Sequence, residues 1–323
     1  MTNATGERRP VFAPTISQEA RVQMQAAAER GEPPLDSIQA ARADAVRRTA
    51  PIAARRLAQY GATVREADLG GIPVQHIRPH GWDGDDDTGP VLLNFHGGGF
   101  VIDYAALPES VPIAALTGVP VASVMYRLAP EHTYPAAVDD ALAAYIGAIE
   151  TRSAARVGLF GTSAGAILTL QLLVRLKAEG VPMPASAGLF SVSADFARAG
   201  DCEAFLPPLT PGLDTPGLLA IYRGDADVRD PLISPLYGDL RGLPPILLMT
   251  STRDQFLSQT VMLHEALIAA DVPTELRVFE GMTHGFWTSI DVPESRTALA
   301  AQAAFLGRHL GTAASAPAAE AKG

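Results

Sequence analysis

Cysteine is almost absent from this chain of 323 residues: Cys202 stands alone, so no internal disulfide and no cysteine-rich metal site can form. A fold that does without disulfides suits a reducing compartment. An excess of positive charge is missing too. The formal net charge is −10, which argues against nucleic acid or an anionic membrane surface as partner, because both are bound through basic patches. No apolar run reaches the roughly 18 residues of a membrane span. Met1 to Pro14 carries Arg8 and Arg9 with no apolar stretch behind them, so no signal peptide is expected and the cytoplasm is the expected location. Internal repeats are absent. Nucleotide signatures are absent as well: Gly97-Gly98-Gly99 is followed by no Walker-type Lys-Ser/Thr and belongs to no G-x-G-x-x-G. The acidic loop Asp83 to Gly89 has Thr88 where a calcium loop needs its turn glycine, and Asn94 where it needs a bidentate glutamate. It reads as a solvated turn, and no metal is expected.

What is present is a globular composition, 47% hydrophobic, in a chain long enough to bury a large core. Ser17 to Arg30 and Asp36 to Tyr60 read as helices, separated by Gly31 and Pro33-Pro34, with Pro51 expected to end or kink the second. No strand pattern occurs before Gly61, so residues 1–60 are expected to form a separate helical layer. Ala62–Ala67 and Ile72–Arg78 read as a hairpin turning at Gly70-Gly71. Strands are then expected at 91–95, 119–125, 156–160, 187–192, 245–250 and 274–279. Helices are expected at 135–150, 166–179, 258–270 and 293–310. Strands apolar on both faces and alternating with helices predict an α/β fold, a mostly parallel sheet flanked by helices. Residues 193–240 break the rhythm with Pro, Gly and Asp and read as an insertion or lid. Residues 311–323, mostly Ala, Ser, Pro and Gly, read as a disordered tail.

Chemistry concentrates at strand ends. Gly161-Thr162-Ser163-Ala164-Gly165 follows one strand and opens a helix, a turn that would expose the Ser163 hydroxyl beside a helix N-terminus. The pentapeptide alone is common by chance. A nucleophilic serine needs a base, an orienting carboxylate and donors for an oxyanion. Asp254 ends the strand 245–250, and its alternatives are a helix cap or a loop ion pair with Arg253. His284 lies among small residues beyond the strand 274–279, and its alternative is a surface loop histidine. The order Ser, Asp, His is that of α/β-hydrolases, which favours the catalytic reading of both. Upstream, His96-Gly97-Gly98-Gly99 ends the strand 91–95. Backbone N–H groups of Gly97, Gly98 and Gly99, with that of Ala164, would form an oxyanion hole. His96 is read as a structural support of the glycine loop rather than a second base.

The chain resembles the hormonesensitive-lipase-like branch of the α/β-hydrolases, a group with many bacterial carboxylesterases. The resemblance rests on His96–Phe100, Tyr126–His132 with Tyr134–Ala137 and Asp140, the Ser163 elbow, Asp230–Leu236, Asp254 and Gly281–Phe286, and it spans about residues 60 to 310. It implies an α/β-hydrolase fold with an N-terminal helical cap (1–60) that part of the later chain (about 193–230) joins over the acyl pocket. The catalytic domain would be 61–310. It implies Ser163 as nucleophile, Asp254 as orienter and His284 as base, with Arg127, Glu131 and His132 as a structural network nearby. The implied reaction is hydrolysis of short-to-medium acyl esters of small molecules through an acyl-enzyme, with no cofactor. An amidase, deacetylase or lactone hydrolase could use the same groups. A non-catalytic binder on this fold, of the kind seen in plant gibberellin receptors, lacks the catalytic histidine, whereas His284 is present. The elbow departs from the branch's usual Gly-Asp-Ser-Ala-Gly-Gly at Thr162 and Ala166, and resembles its Gly-Thr-Ser-Ala-Gly subgroup. The segment Gln255–Ser258 after Asp254 also departs from the usual Pro-Leu-Arg-Asp. Met24, Leu35, Phe196, Phe205, Leu206 and Leu209 are candidates for the acyl pocket, although core packing would explain each equally well. Edge-strand pairing or helix packing would allow a homodimer.

Overall fold

A computed structural model describes residues 14–30, 37–104, 106–206 and 215–312; Leu35, Leu209 and 313–323 lie outside them. Eight strands form one sheet among these residues: β1 (Thr63–Leu69), β2 (Ile72–Arg78), β3 (Val91–Phe95), β4 (Val121–Val124), β5 (Val157–Thr162), β6 (Ser186–Phe190), β7 (Ile246–Arg253) and β8 (Thr274–Thr283). Their spatial order is β1-β2-β4-β3-β5-β6-β7-β8. β1 and β2 are the expected hairpin. Gly70 and Gly71 both take positive φ, as a two-residue turn matched to strand twist requires. β2 meets β4 antiparallel, and every later pair is parallel.

The central strands are buried throughout, and their alternate residues feed two cores. Val91, Leu93 and Phe95 join Val157 and Leu159 on one face, under α4 (Ala136–Ile149), α5 (Ala164–Glu179) and α8 (Leu257–Ala269). Leu92 and Phe160 face the other way, into a core with α3 (Ala106–Thr117) and α10 (Pro293–His309). Each fully buried Leu, Val or Phe contributes about 1.5–3 kcal/mol. Two-sided burial therefore stabilises these strands without any solvent-facing side.

Two helical segments precede the sheet, α1 (Gln18–Arg30) and α2 (Ile38–Tyr60). Pro51 does not end α2, which continues nine residues past it to Tyr60; Pro51 and Arg47, whose carbonyl it leaves without an N–H partner, are both exposed. α2 packs on α3, and Ile16, Ala20 and Met24 bury against the second core. Sequence patterning gave no sign of α3, nor of the short helices α6 (Asp201–Phe205), α7 (Thr215–Arg223) and α9 (Phe286–Ser289). α3 contains Pro108 and Pro112 and is buried on nearly every side, so it lacks both helix composition and a polar stripe. Pro112 cannot donate to the Pro108 carbonyl, and the Arg56 guanidinium of α2 fills that vacancy.

Candidate active site

The parallel strands all point their C-terminal ends to one edge, where β3 delivers His96, β5 Ser163, β7 Asp254 and β8 His284. Such an edge is where the sites of parallel α/β sheets gather. Ser163 has φ 59° and ψ −122°, a backbone conformation unusual for a residue with a side chain. It is held there by its N–H to Phe190 O (2.8 Å) and by the start of α5, where Ile167 N–H returns to Ser163 O (3.0 Å). The flanking glycines are obligatory. A Cβ on Gly165 would stand 1.7 Å from Phe95 O, and one on Gly161 2.5 Å from the same atom. Ala166 carries its methyl into the first core and is fully buried.

Asp254 is completely buried. Its Oδ1 accepts from His284 Nδ1 (2.7 Å) and Phe256 N–H (3.0 Å), and its Oδ2 from Thr250 Oγ1 (2.9 Å). Burial alone would raise its pKa, but the His284 ring, the Ser191 hydroxyl and the Phe256 N–H together outweigh burial and hold it below the ordinary carboxylate value. An ionised carboxylate only accepts, so Nδ1 of His284 carries the proton. That leaves Nε2 as the ring's basic atom, and Nε2 has no hydrogen-bond partner among the described residues. The Phe256 ring meets the imidazole edge-on at 5.5 Å, which limits its rotation.

The glycine loop is pinned through its carbonyls. Gly97 O accepts from Tyr104 N–H (3.2 Å), and Gly98 O from Val101 and Ile102 N–H (3.1 and 3.0 Å). Gly98 and Gly99 have φ of 112° and 63°, and a Cβ on Gly98 would lie 1.9 Å from Ile102 O. A Cβ on Gly97 would sit 3.6 Å from Ser163 Cβ, so this loop passes beside the serine. His96 is buried beneath the loop, stacked on Tyr126 at 4.3 Å, with Nδ1 2.8 Å from Gly97 O. Tyr126 Oη donates to His96 O (2.7 Å). Phe100 stacks on Tyr222 of α7 at 3.6 Å, and Leu218 of α7 abuts Gly99.

The Arg127–Glu131–His132 block divides among separate partners. Arg127 grips Asp140 through Nε (2.9 Å) and Nη2 (2.7 Å). Glu131 takes both Nη groups of Arg42 (2.8 and 2.7 Å), whose Nε and Nη2 also reach the carbonyls of Val101 and Ala129. Glu131 is thereby held down at a pKa of about 2, chiefly by the Arg42 hydrogen bonds. His132 is exposed. Of the acyl-pocket candidates, Met24 is core, Phe196 packs partly buried near Tyr222, Leu206 is half-buried and Phe205 is 65% exposed. The acidic loop is a basic-residue anchor: Asp86 takes Arg65, Arg78 and the Trp82 indole.

A parallel sheet with a serine elbow after β5 and a carboxylate-held histidine after β8 is the architecture of the α/β hydrolases. The chain belongs to that family: a family model described as the alpha/beta hydrolase fold matches residues 92–288. Within it the chain stands in the hormone-sensitive-lipase-like branch. An acetyl-hydrolase of Streptomyces hygroscopicus is 34% identical over 247 residues, 74% of this chain and 80% of that one. The crystal structure of esterase E25 superposes with a TM-score of 0.79 at 31% identity, covering 94% of this chain and 98% of that one. An esterase from the bacterial hormone-sensitive lipase family gives 0.79 at 29% identity, over 91% and 99%.

Proposed function

We propose that the protein is a carboxylesterase that hydrolyses small acyl esters through a covalent acyl-enzyme. The observation that carries this reading is the 2.7 Å bond from His284 Nδ1 to buried Asp254, which leaves Nε2, without a hydrogen-bond partner among the described residues, as the basic atom at the sheet edge that also holds the strained Ser163. Nε2 takes the proton as Ser163 Oγ attacks the ester carbonyl. N–H groups of Gly97, Gly98, Gly99 and Ala164 stabilise the oxyanion. The imidazolium then protonates the departing alcohol, and in the second half-reaction His284 activates water to release the acid. Asp254 keeps the tautomer throughout.

Helices α1, α2, α6 and α7 act in this reading as a cap over the acyl pocket, with α7 resting on Gly99 and Phe100. Short acyl groups fit this proposal, and the Streptomyces hygroscopicus relative is named an acetyl-hydrolase. Ser163→Ala should lower kcat on p-nitrophenyl acetate by about 10⁴-fold or more, and a fluorophosphonate should label wild type at Ser163. Undiminished hydrolysis by Ser163→Ala would sink the proposal. Parallel rates on a matched ester, amide and lactone separate esterase from amidase and lactone hydrolase.

A further inference from the structure

A second buried carboxylate lies behind the elbow, away from Asp254. Glu109 of α3 is 1% exposed, in a helix otherwise made of apolar and small residues. Its Oε1 receives the Thr162 hydroxyl, and its Oε2 accepts from Asn94 Nδ2 at 3.0 Å. Ser123 Oγ donates to Asn94 Oδ1 (2.9 Å), which orients that amide. The Trp287 indole, three residues beyond His284, donates to Thr162 Oγ1 at 3.0 Å. An indole N–H can only donate, so the single proton of Thr162 is left to point at Glu109. The Thr162 methyl meanwhile fills the space under the base loop: its Cγ2 is 3.1 Å from where a Cβ on Gly285 would sit. Thr162 thus touches both sides of the reaction. It is bonded to Ser163 in the chain, and it supports Gly285 and Trp287, which flank and follow His284.

We propose that Glu109 is a positioning residue: by fixing the Thr162 side chain it sets the Ser163 elbow against the His284 loop. The inference rests on the reading of Ser163 and His284 as nucleophile and base. In its ionised form Glu109 accepts at both oxygens, one taking the Thr162 hydroxyl and the other Asn94 Nδ2. Glutamine would set its amide N–H₂ against either Thr162 or Asn94 and lose one of the two bonds. Arg56 supplies the compensating charge. Its Nη2 donates to Trp287 O at 2.7 Å and its Nη1 to Pro108 O, one residue before Glu109. The network therefore joins α2, α3, β3, β5 and α9 behind the reacting atoms, where it can affect their alignment without touching substrate.

The test uses the full chain as wild type, Glu109→Gln, Thr162→Val and Thr162→Ser. For each, kcat and KM on p-nitrophenyl acetate, the second-order rate of fluorophosphonate labelling and the thermal midpoint are measured. Glu109→Gln and Thr162→Val should both lower kcat and labelling rate by about tenfold with KM changed less than about twofold. Thr162→Ser restores the hydroxyl and should recover most of the loss. The Glu109→Gln/Thr162→Val double variant should be no slower than Thr162→Val alone, because both act through one contact. Wild-type kcat and labelling rate in folded Glu109→Gln overturn the proposal, as does a loss confined to KM or to the thermal midpoint. Should Glu109→Gln not fold, equal kcat for Thr162→Val and Thr162→Ser overturns it. Failure of the wild type itself to label at Ser163 removes the nucleophile reading first, a result distinct from labelling at unchanged rate in the variants.

Discussion

In the proposed reaction Asp254 is a buried side chain that acts through His284 without contacting substrate. Its carboxylate accepts from Thr250, Phe256 and His284. Asp254→Asn keeps the shape but can donate from its amide nitrogen, which favours the wrong imidazole tautomer. We expect kcat to fall by about 10⁴-fold with little change in KM, measured on an aryl acetate. The strand-end positions of Ser163, Asp254 and His284 are legible because they are local: each directly follows the last residue of a strand, and strand ends are marked by apolar runs giving way to small residues. Glu109 was not legible. A lone acid in Ala106–Thr117 has no motif, and its partners at 94, 162 and 56 are distant in the chain. The one available signal was a charged residue in an apolar run, which asks for a partner without naming it. Arg42 was equally hidden, since nothing near Glu131 points to a guanidinium 89 residues earlier.

Helices and strands divided by the origin of their pattern. β3, β5 and β6 show as short apolar runs because both faces are buried. β8 runs on to Thr283 rather than stopping at Phe279, by a register irregularity between Ser251 and Arg253 that no composition announces. α7 lies in the stretch read as an insertion or lid. Its Tyr222 is fully buried, stacks on Phe100 and donates to Gln171 Oε1 at 2.8 Å. Tyr222→Ala should therefore cost about 3–5 kcal/mol in denaturant unfolding, the range for deleting a large buried ring. It should also loosen the turn that carries Gly99, seen as a drop in kcat on short esters. Loss of less than about 1 kcal/mol would mean that α7 only rests on the glycine loop.

For the molecule as a whole, the buried network around Glu109 makes stability depend on pH in a definite direction. Burial raises the Glu109 pKa from 4.5 to about 7, against the opposing hydrogen bonds of Thr162 and Asn94 and the charge of Arg56. Arg56 responds to the same burial, its pKa falling to about 10. The folded state binds the Glu109 proton more tightly than the unfolded chain does. Its contribution is thus complete below pH 4.5 and is lost as pH rises through about 7. The loss is on the order of 3 kcal/mol. Glu109→Gln has no such proton, so the stability of wild type relative to this variant should fall between about pH 4.5 and about 7 and level off above that, followed by urea unfolding at each pH. A difference independent of pH would contradict the raised pKa.

Local chemistry in the chain was sufficient for the sheet's alternation with helices, the turn at Gly70-Gly71 and the strand-end motifs, because each depends on neighbours a few residues away. Tertiary structure alone decided that Pro112 could sit inside a helix, since Arg56 from another helix serves the carbonyl it leaves open. It decided that Arg127 and Glu131, close in sequence, answer to Asp140 and Arg42 separately. It also placed a buried glutamate behind the elbow, where Thr162 stands. These are contacts between residues far apart in the chain, set by which surfaces the packed sheet brings together, and no local pattern encodes them.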